Sequence, residues 1–251
     1  MCSQLVSCAR CSRRGTFDGL DCCTLFFWLI YSLQFLGFRS GEHLRRIKEL
    51  SISGCLNILP NQLLKATAVM VMIENLDISN CVQFDTEALL KIMSRLPLLE
   101  AINISNCTNV HGLIFDRLIE FPNLRKICSF SNQQIEFESV SRFLGSSTKI
   151  QHVSLSRSHI FKRMFSSMAV CTSLNFFDVS SCGLTIVSGC YISQYSAHGC
   201  HFQDVLAILV EKMPNLRSIS CAHTKPKLPE NANAFFATLS HIHSIDISFC
   251  T

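Results

Sequence analysis

The sequence lacks the short motifs that mark common catalytic and nucleotide-binding sites. It contains no G-x-G-x-x-G, no P-loop, no G-x-S-x-G and no H-E-x-x-H. Its nine histidines and many serines make chance Ser/His pairs unavoidable, so such pairs carry little weight. The sequence therefore predicts that the protein is not an enzyme and has no catalytic residue, cofactor or metal site.

Charge is also sparse. Charged residues make up 16% of the chain, and 22 Lys and Arg against 18 Asp and Glu leave a net charge of +4. A short basic cluster, Leu44–Lys48 (LRRIK), is interpreted as a solvated surface, because phosphate binding needs many convergent cations. We expect no nucleic-acid partner.

A clear membrane-spanning run is missing as well. Residues 22–38 (CCTLFFWLIYSLQFLGF) carry no charge, but as a helix they span only about 25 Å against a hydrocarbon core of about 30 Å. A secretory cleavage site is not evident either. Three interpretations of the segment remain. The first is an apolar cap on the domain that follows, and the second is a membrane anchor or signal. The third is that the segment is disordered or comes from a wrongly assigned start of the gene.

A repeated phrase is the main feature that the sequence does have. Nine-residue copies such as IENLDISNC (73–81) and LEAINISNC (99–107) recur about every 26 residues. Apolar residues at positions one, four and six alternate with polar ones, which is typical of a short strand with one buried face. The copies begin at Ile47, Ile73, Leu99, Leu124, Ile150, Leu174, Leu216 and Ile242.

Between the strands, apolar residues follow helical spacing. Leu89, Met93 and Leu96 define one such face, and Val140 with Leu144 define another. Pro97 and two later prolines lie two residues before the next phrase, where a helix has to stop. Each repeat is predicted to form a strand, a turn and a three-turn helix.

Position nine of the phrase always holds a small side chain that can donate a hydrogen bond. Where a strand leaves the sheet, its carbonyl groups lose their ladder partners, and an inward-pointing donor can bond them. Stacked repeats then share a structural ladder, predicted to consist of Cys55, Cys81, Cys107, Asn132, Ser158, Cys182, Thr224 and Cys250.

The phrase resembles that of leucine-rich repeat proteins, specifically the cysteine-containing subclass with L-x-x-L-x-L-x-x-C. The resemblance covers about 45–251 and implies an α/β solenoid of the horseshoe type, with about eight repeats, parallel strands on the concave side and helices on the convex side. Residues 1–44 then form an apolar, cysteine-rich segment or cap. The domain 45–251 carries an insertion near 183–199, and it ends partway through its last repeat, so we expect a fragment or splice form of a longer protein.

Function is expected on the strand side chains that face outward from the sheet. Position seven is a row of serines apart from Phe130 and Ala222, and the serines are interpreted as structural because serines on adjacent strands can bond each other. Aromatic, arginine, histidine and acidic side chains are the better candidates for contact with a protein. The predicted protein-binding residues are Asp77, Asn103, Phe130, His152, Arg157, Phe176, Asp178, His223, Asp246 and Phe249.

The resemblance also implies a role. Cysteine-containing repeats commonly form the substrate-recognition arm of cullin-RING ubiquitin ligases, in F-box or Zyg/Zer proteins, with elongin or Skp1 as the adaptor. No F-box precedes residue 44 and no elongin-binding box is found, so the adaptor-binding part is missing or lies outside this chain. We expect a protein-interaction scaffold located in the cytoplasm, with the nucleus as a second candidate location.

A membrane-anchored or secreted leucine-rich repeat receptor is the alternative, with residues 22–38 as its targeting segment. The cysteine state distinguishes the two. The chain has 15 cysteines, and those in the ladder are expected to pack as reduced thiols, which favours the intracellular scaffold.

Overall fold

The computed structural model of the 251-residue chain describes residues 6–7, 44–132, 134–155, 159–161, 171–178, 183–185, 215–220, 237 and 240–246. The chain divides into two compact units. The first comprises Met1–His111 and Phe121–Leu124, and the second comprises Gly112–Glu120 and Arg125–Thr251.

Every copy of the phrase carries a strand at its positions three to five, as the alternation predicts. In the first unit these are β2 (Glu49–Ser51), β3 (Asn75–Asp77) and β4 (Ala101–Asn103). In the second unit they are β5 (Lys126–Cys128), β6 (His152–Ser154), β8 (Phe176–Asp178), β10 (Ser218–Ser220) and β11 (Ser244–Asp246).

Three short strands lie outside the phrases. β1 (Val6–Ser7) pairs in parallel with β2 at the edge of the first unit's sheet. β7 (His159–Phe161) and β9 (Gly183–Thr185) form a separate parallel pair in the second unit. The two strands of this pair follow consecutive phrases of the repeat.

Within each unit the strands of the phrases pair in parallel and in register, so that residues at equal phrase positions are opposite each other. Leu50 faces Leu76 and Leu76 faces Ile102 in the first unit. In the second unit Val153 faces both Ile127 and Phe177. All of these position-four side chains are buried, whereas positions three and five are half-buried or exposed. A parallel sheet with one buried face and one open face results.

In the described residues, helices follow the strands of the first four repeats. They are α1 (Pro60–Thr67) and α2 (Thr86–Met93) in the first unit, and α3 (Leu113–Leu118) and α4 (Phe137–Ser146) in the second. Leu89 and Met93 are buried on α2, and Val140 and Leu144 on α4, as the helical spacing predicts.

The prediction of three-turn helices holds for the ten residues of α4 but is wrong for α1 and α2, which have eight residues each, and for α3, which has six. The reason lies at the helix ends. Asp85 caps α2 through a 2.8 Å bond from Ala88 N, and the chain leaves the helix at Ser94. Residues 94–98 therefore form the return to the next strand instead of a third turn.

Gly112 sets the close approach of two segments in the second unit. Its N–H donates to the carbonyl of Gln134 over 3.1 Å, and a Cβ at this position would lie 2.9 Å from Glu136 N. A side chain would therefore push apart the segments that lead into α3 and α4. Phe115 and Phe143 then pack edge to face with ring centroids 5.7 Å apart.

Position eight of the phrase has a left-handed backbone. Its φ angle is +71° at Gly54, +60° at Asn80, +57° at Asn106 and +58° at Ser131. Glycine and asparagine tolerate this conformation best, which explains their presence at the point where the chain turns out of the sheet. This position was not recognised from the sequence, although Gly54, Asn80 and Asn106 at equal spacing carry the signal.

Residues 22–38, the insertion at 183–199 apart from β9, and the region after Asp246 lie outside the described residues. The three interpretations of residues 22–38 therefore stay predictions. In the part of the chain that the structure describes, no helix is long and apolar enough to cross a membrane.

Candidate functional site

The open face of each sheet is built from positions three and five of the strands. In the first unit this face is polar. Asn75 donates to Glu49 over 3.2 Å, and Ser51 donates to Asp77 over 3.3 Å. Asn103 lies two strands from Ser51 and accepts the backbone N–H of Ser105. These bonds hold the polar side chains in place along the face.

Serine–aspartate pairs recur at position five in both units. Ser154 Oγ donates to Asp178 Oδ2 over 2.8 Å, and Ser220 Oγ donates to Asp246 Oδ2 over 3.2 Å. Each pair links neighbouring repeats, in the same way as Ser51 and Asp77. The carboxylates are thereby oriented by the preceding strand while one edge of each stays on the open face.

An aromatic stack occupies position three of the second unit's sheet. The rings of His152 and Phe176 are parallel within 6°, with centroids 4.0 Å apart. The two residues are opposite each other on adjacent strands, and both side chains are half-buried. Lys126 precedes them in the same row, and Ser218 and Ser244 follow.

The imidazole of His152 is held neutral. Partial burial and the nearby Lys126 ammonium lower its pKa to about 4 from 6.5, although Asp178 acts in the opposite direction. At neutral pH the stack therefore carries no charge of its own, and the charges of this face belong to Lys126 on one side and to Asp178 and Asp246 on the other.

The position-nine thiols lie beneath the open face. Cys81 Sγ donates to Ile52 O and Cys107 Sγ donates to Ile78 O, each over 3.1 Å. Burial raises the pKa of the Cys107 thiol to about 12. Cys55 is buried at the equivalent place of the first phrase. These side chains are inaccessible to a partner.

Asn132, at position nine of the fourth phrase, bonds to a side chain of its own repeat. Its Nδ2 donates to Ser129 Oγ over 2.9 Å, and both side chains are fully buried. Ser129 stands at position six, where the other described phrases have an apolar residue. The two buried polar side chains of this repeat are therefore bonded to each other, which lowers the cost of burying them.

Position seven behaves as a structural row where it is described in the first unit. Ser79 Oγ donates to Ser53 Oγ over 2.7 Å, and each serine lies two residues after the end of its strand, β3 and β2 respectively. Ser79 and Ser105 are both buried. The interpretation of this row as structural rather than ligand-binding is consistent with that bond.

The structure describes seven of the ten residues predicted to bind protein. Asp77, Asn103, Phe130, His152, Phe176 and Asp178 are half-buried on the open faces or at their edge, and Asp246 is exposed. Within the second unit, His152, Phe176 and Asp178 come together on two adjacent strands. The predicted residues outside the described part of the chain are Arg157, His223 and Phe249, with Ser158, Cys182, Thr224 and Cys250 of the ladder.

Several residues of the open face were missed from the sequence. Lys126 was not singled out, and Ser154 and Ser220 were expected on this face at position five but not among the predicted binding residues, although all three belong to the network of the second unit. In the first unit Asn106 Nδ2 donates to Asn80 Oδ1 over 3.0 Å, which makes an asparagine row at position eight. The sequence does contain a signal for these contacts. Residues at the same position of successive phrases are brought opposite each other once the positions of the strands are known.

One groove on the helices of the first unit is small. A groove of about 130 Å³ lies between α1 and α2, lined in part by Pro60, Leu64, Ala88 and Lys91. Pockets for cofactors and drug-sized ligands are usually about 300–1,000 Å³. No group of three or more His, Cys, Asp or Glu side chains is placed to hold a metal ion within the described ranges.

Comparison with known proteins identifies the fold. The chain matches no protein-family model and no curated protein sequence. Among solved structures it is similar to an internalin from Listeria monocytogenes, with a TM-score of 0.52 and 12% identity over 83% of this chain and 56% of the internalin. It is also similar to human trophoblast glycoprotein, with a TM-score of 0.53 and 14% identity over 81% of this chain and 70% of the glycoprotein.

The fold is therefore an α/β leucine-rich repeat solenoid, as the repeated phrase predicts. The chain spans little more than half the length of the internalin structure. At 12% and 14% identity, these similarities show the fold and not a shared partner.

Proposed function

We propose that the chain is a protein-interaction scaffold and that the open faces of its sheets bind another protein. The stacked pair of His152 and Phe176 beside Asp178 is the observation that carries this proposal. Parallel strands place aromatic, cationic and acidic side chains in register on a surface with no role in the core. Aromatic side chains supply much of the binding energy in protein interfaces, and flanking charges select the partner.

The composition of the face supports binding of protein rather than of a small molecule. The apolar side chains at positions four and six are buried beneath the open face and form the core. The side chains at positions three and five are therefore not needed to fill the core. The cross-strand bonds of Ser154 and Ser220 limit the motion of the carboxylates before a partner arrives. Such preorganisation lowers the entropic cost of association.

Affinity purification of the full chain, tagged at its C-terminus and expressed in cells, tests the proposal. A face variant, Phe176→Leu with Asp246→Asn, is compared with a control variant on the helices, Glu87→Gln with Leu113→Ala. Glu87 and Leu113 are exposed, at 83% for the Glu87 side chain and 65% for Leu113. We expect proteins recovered with the wild type to be lost from the face variant and retained by the control. Equal recovery with both variants would contradict binding through the open face.

A more specific role is proposed from the resemblance of the phrase to cysteine-containing repeats, namely substrate recognition in a cullin-RING ubiquitin ligase in the cytoplasm. The five described cysteines are thiols, which supports an intracellular protein. Recovery of a cullin with elongin or Skp1 in the same purification would support this role. Recovery of membrane or secretory proteins as the partners that depend on the open face would contradict the ligase role and leave the scaffold proposal intact. The receptor alternative stays a prediction.

A further inference from the structure

We propose that the open face of the second unit contains a slot for an arginine side chain of the bound protein, formed by the Phe176 ring above Ser218 and flanked by Asp178 and Asp246. This proposal rests on the proposed function and specifies the chemistry of the partner. It concerns β8, β10 and β11.

The stack gives the slot its wall. His152 covers one face of the Phe176 ring with a parallel ring at 4.0 Å. Because His152 and Phe176 are opposite each other on adjacent strands, the axis of the stack runs across the sheet, from β6 toward β10. The second face of the Phe176 ring is therefore directed toward β10.

Small residues provide the floor of the slot. Ser218 is opposite Phe176 at position three of β10, and Ser244 is opposite Ser218 on β11. Neighbouring strands lie about 4.8 Å apart, and a planar group needs about 3.5 Å to stack on a ring. A planar group lying against Phe176 thus has room above Ser218 and continues the row that begins with Lys126 and His152.

Acidic residues flank the same place. Asp178 follows Phe176 by two residues on one strand, and Asp246 follows Ser244 by two residues on β11. Ser154 and Ser220 orient these carboxylates through hydrogen bonds to one oxygen of each. A carboxylate has about four acceptor sites and can accept from several donors at once.

A guanidinium group fits these features better than an ammonium or a phenyl group. It is planar, stacks on aromatic faces and presents a fork of donors to carboxylates. Lysine lacks the plane, and phenylalanine lacks the donors. Lys126 is three strands away from Ser218 in the same row, beyond His152, and the neutral imidazole between them adds no positive charge.

Titration of the full-length protein with three blocked tripeptides tests the slot. The probes are acetyl-Gly-Arg-Gly-amide and its lysine and phenylalanine counterparts, and the readout is the NMR shift of ¹³C-labelled phenylalanine rings. Comparison with Phe176→Leu assigns the Phe176 signal. We expect saturable shifts of that signal with the arginyl peptide, at a Kd in the millimolar range and about 3-fold or more below that of the lysyl peptide.

Three variants separate the slot from general charge attraction. Asp246→Asn is expected to weaken the arginyl peptide about 3- to 10-fold, the loss expected for one charge-assisted contact on an exposed surface. Ser218→Phe is expected to abolish binding by filling the slot without removing its wall. Asp77→Asn is the matched control, because Asp77 also accepts from a position-five serine, but the position-three row beside it holds Asn75 and Ala101 instead of an aromatic ring. We expect no change from it.

Equal affinities for the arginyl and lysyl peptides would overturn the proposal, as would equal losses from Asp246→Asn and Asp77→Asn. Tighter binding of the phenylalanyl peptide would replace the arginine by an aromatic residue and so also contradict it. These outcomes are distinct from failure of the proposed function. A protein that loses its cellular partners on substitution of Phe176 but shows no arginine preference keeps the scaffold role without the slot.

Discussion

The thiol of Cys107 donates a hydrogen bond to the backbone carbonyl oxygen of Ile78, which lies 3.1 Å away and 29 residues earlier in the chain. Cys81 makes the same bond to Ile52. Each bond joins the turn of one repeat to the strand end of the repeat before it. In a solenoid, such contacts between neighbours carry much of the stability.

Substitution of Cys107 by threonine and by valine tests whether the hydrogen bond or the packing matters at this position. The two side chains have similar shape, but only threonine can donate to Ile78 O. We expect Cys107→Val to be less stable than Cys107→Thr by about 0.5–1.5 kcal/mol, the net worth of a typical hydrogen bond. Urea unfolding followed by circular dichroism measures the difference. A valine variant as stable as the threonine variant would show that packing alone selects small residues here.

Thiol labelling tests the burial of the cysteines. Burial raises the pKa values of Cys107 and Cys171 to about 12, so at pH 8 almost no thiolate is present at either residue. We expect iodoacetamide to leave both residues unmodified in the folded, reduced protein and to modify them in urea, as read by mass spectrometry of the peptides.

A matched sample without reductant shows whether protection comes from burial or from disulfide formation. Mass spectrometry should find the two residues as thiols in both samples. Modification of Cys107 in the folded protein at the rate of a free peptide thiol would contradict the buried ladder.

The strand phase and the outward-facing residues could be predicted from the sequence because both depend on local periodicity. Leu50, Leu76 and Ile102 repeat at equal spacing, so their burial on one face follows from the alternation. The contact between His152 and Phe176 could not be derived in the same way. It depends on ring orientation across two strands that are 24 residues apart in the chain.

The compensation between Ser129 and Asn132 was also beyond the sequence. Ser129 alone looks like a departure from the phrase, and only the 2.9 Å bond shows that its hydroxyl is paired with Asn132 of the ladder. The left-handed turn at position eight was missed for another reason. The alternation of apolar and polar residues does not reveal it, whereas the residue types do, because Gly54, Asn80 and Asn106 are glycine and asparagine.

The left-handed backbone at position eight predicts opposite effects of two substitutions. Ser131 has a φ of +58°, so Ser131→Gly removes the steric cost of its Cβ and should stabilise the protein by up to about 1 kcal/mol. Gly54 has a φ of +71°, and Gly54→Ala should destabilise by a similar amount, about 1 kcal/mol. Thermal or urea unfolding checks both.

Ser131→Ala is the control for the loss of the serine hydroxyl, because it removes that group but keeps the Cβ. If Ser131→Gly and Ser131→Ala change the free energy of unfolding equally, the backbone conformation is not the cause. A stabilising Gly54→Ala would likewise contradict the left-handed turn.

The neutral imidazole of His152 predicts a loss of stability in mild acid. Its pKa is about 4 in the folded protein and 6.5 in a solvated chain, so between these values the unfolded state binds a proton that the folded state does not. Stability contributed by this residue should be complete above about pH 6.5, decline as the pH falls and level off below about pH 4.

His152→Phe isolates this effect, because phenylalanine preserves a ring beside Phe176 but does not titrate. We expect the urea midpoints of the wild type and of His152→Phe to diverge steadily between pH 6.5 and pH 4, with the wild type losing more. Titrating groups that do not interact with His152 contribute equally to both proteins and cancel in the difference. A constant difference across this range would mean that His152 titrates alike in both states, and a wild type that gains stability in acid would mean that Asp178 outweighs burial and Lys126.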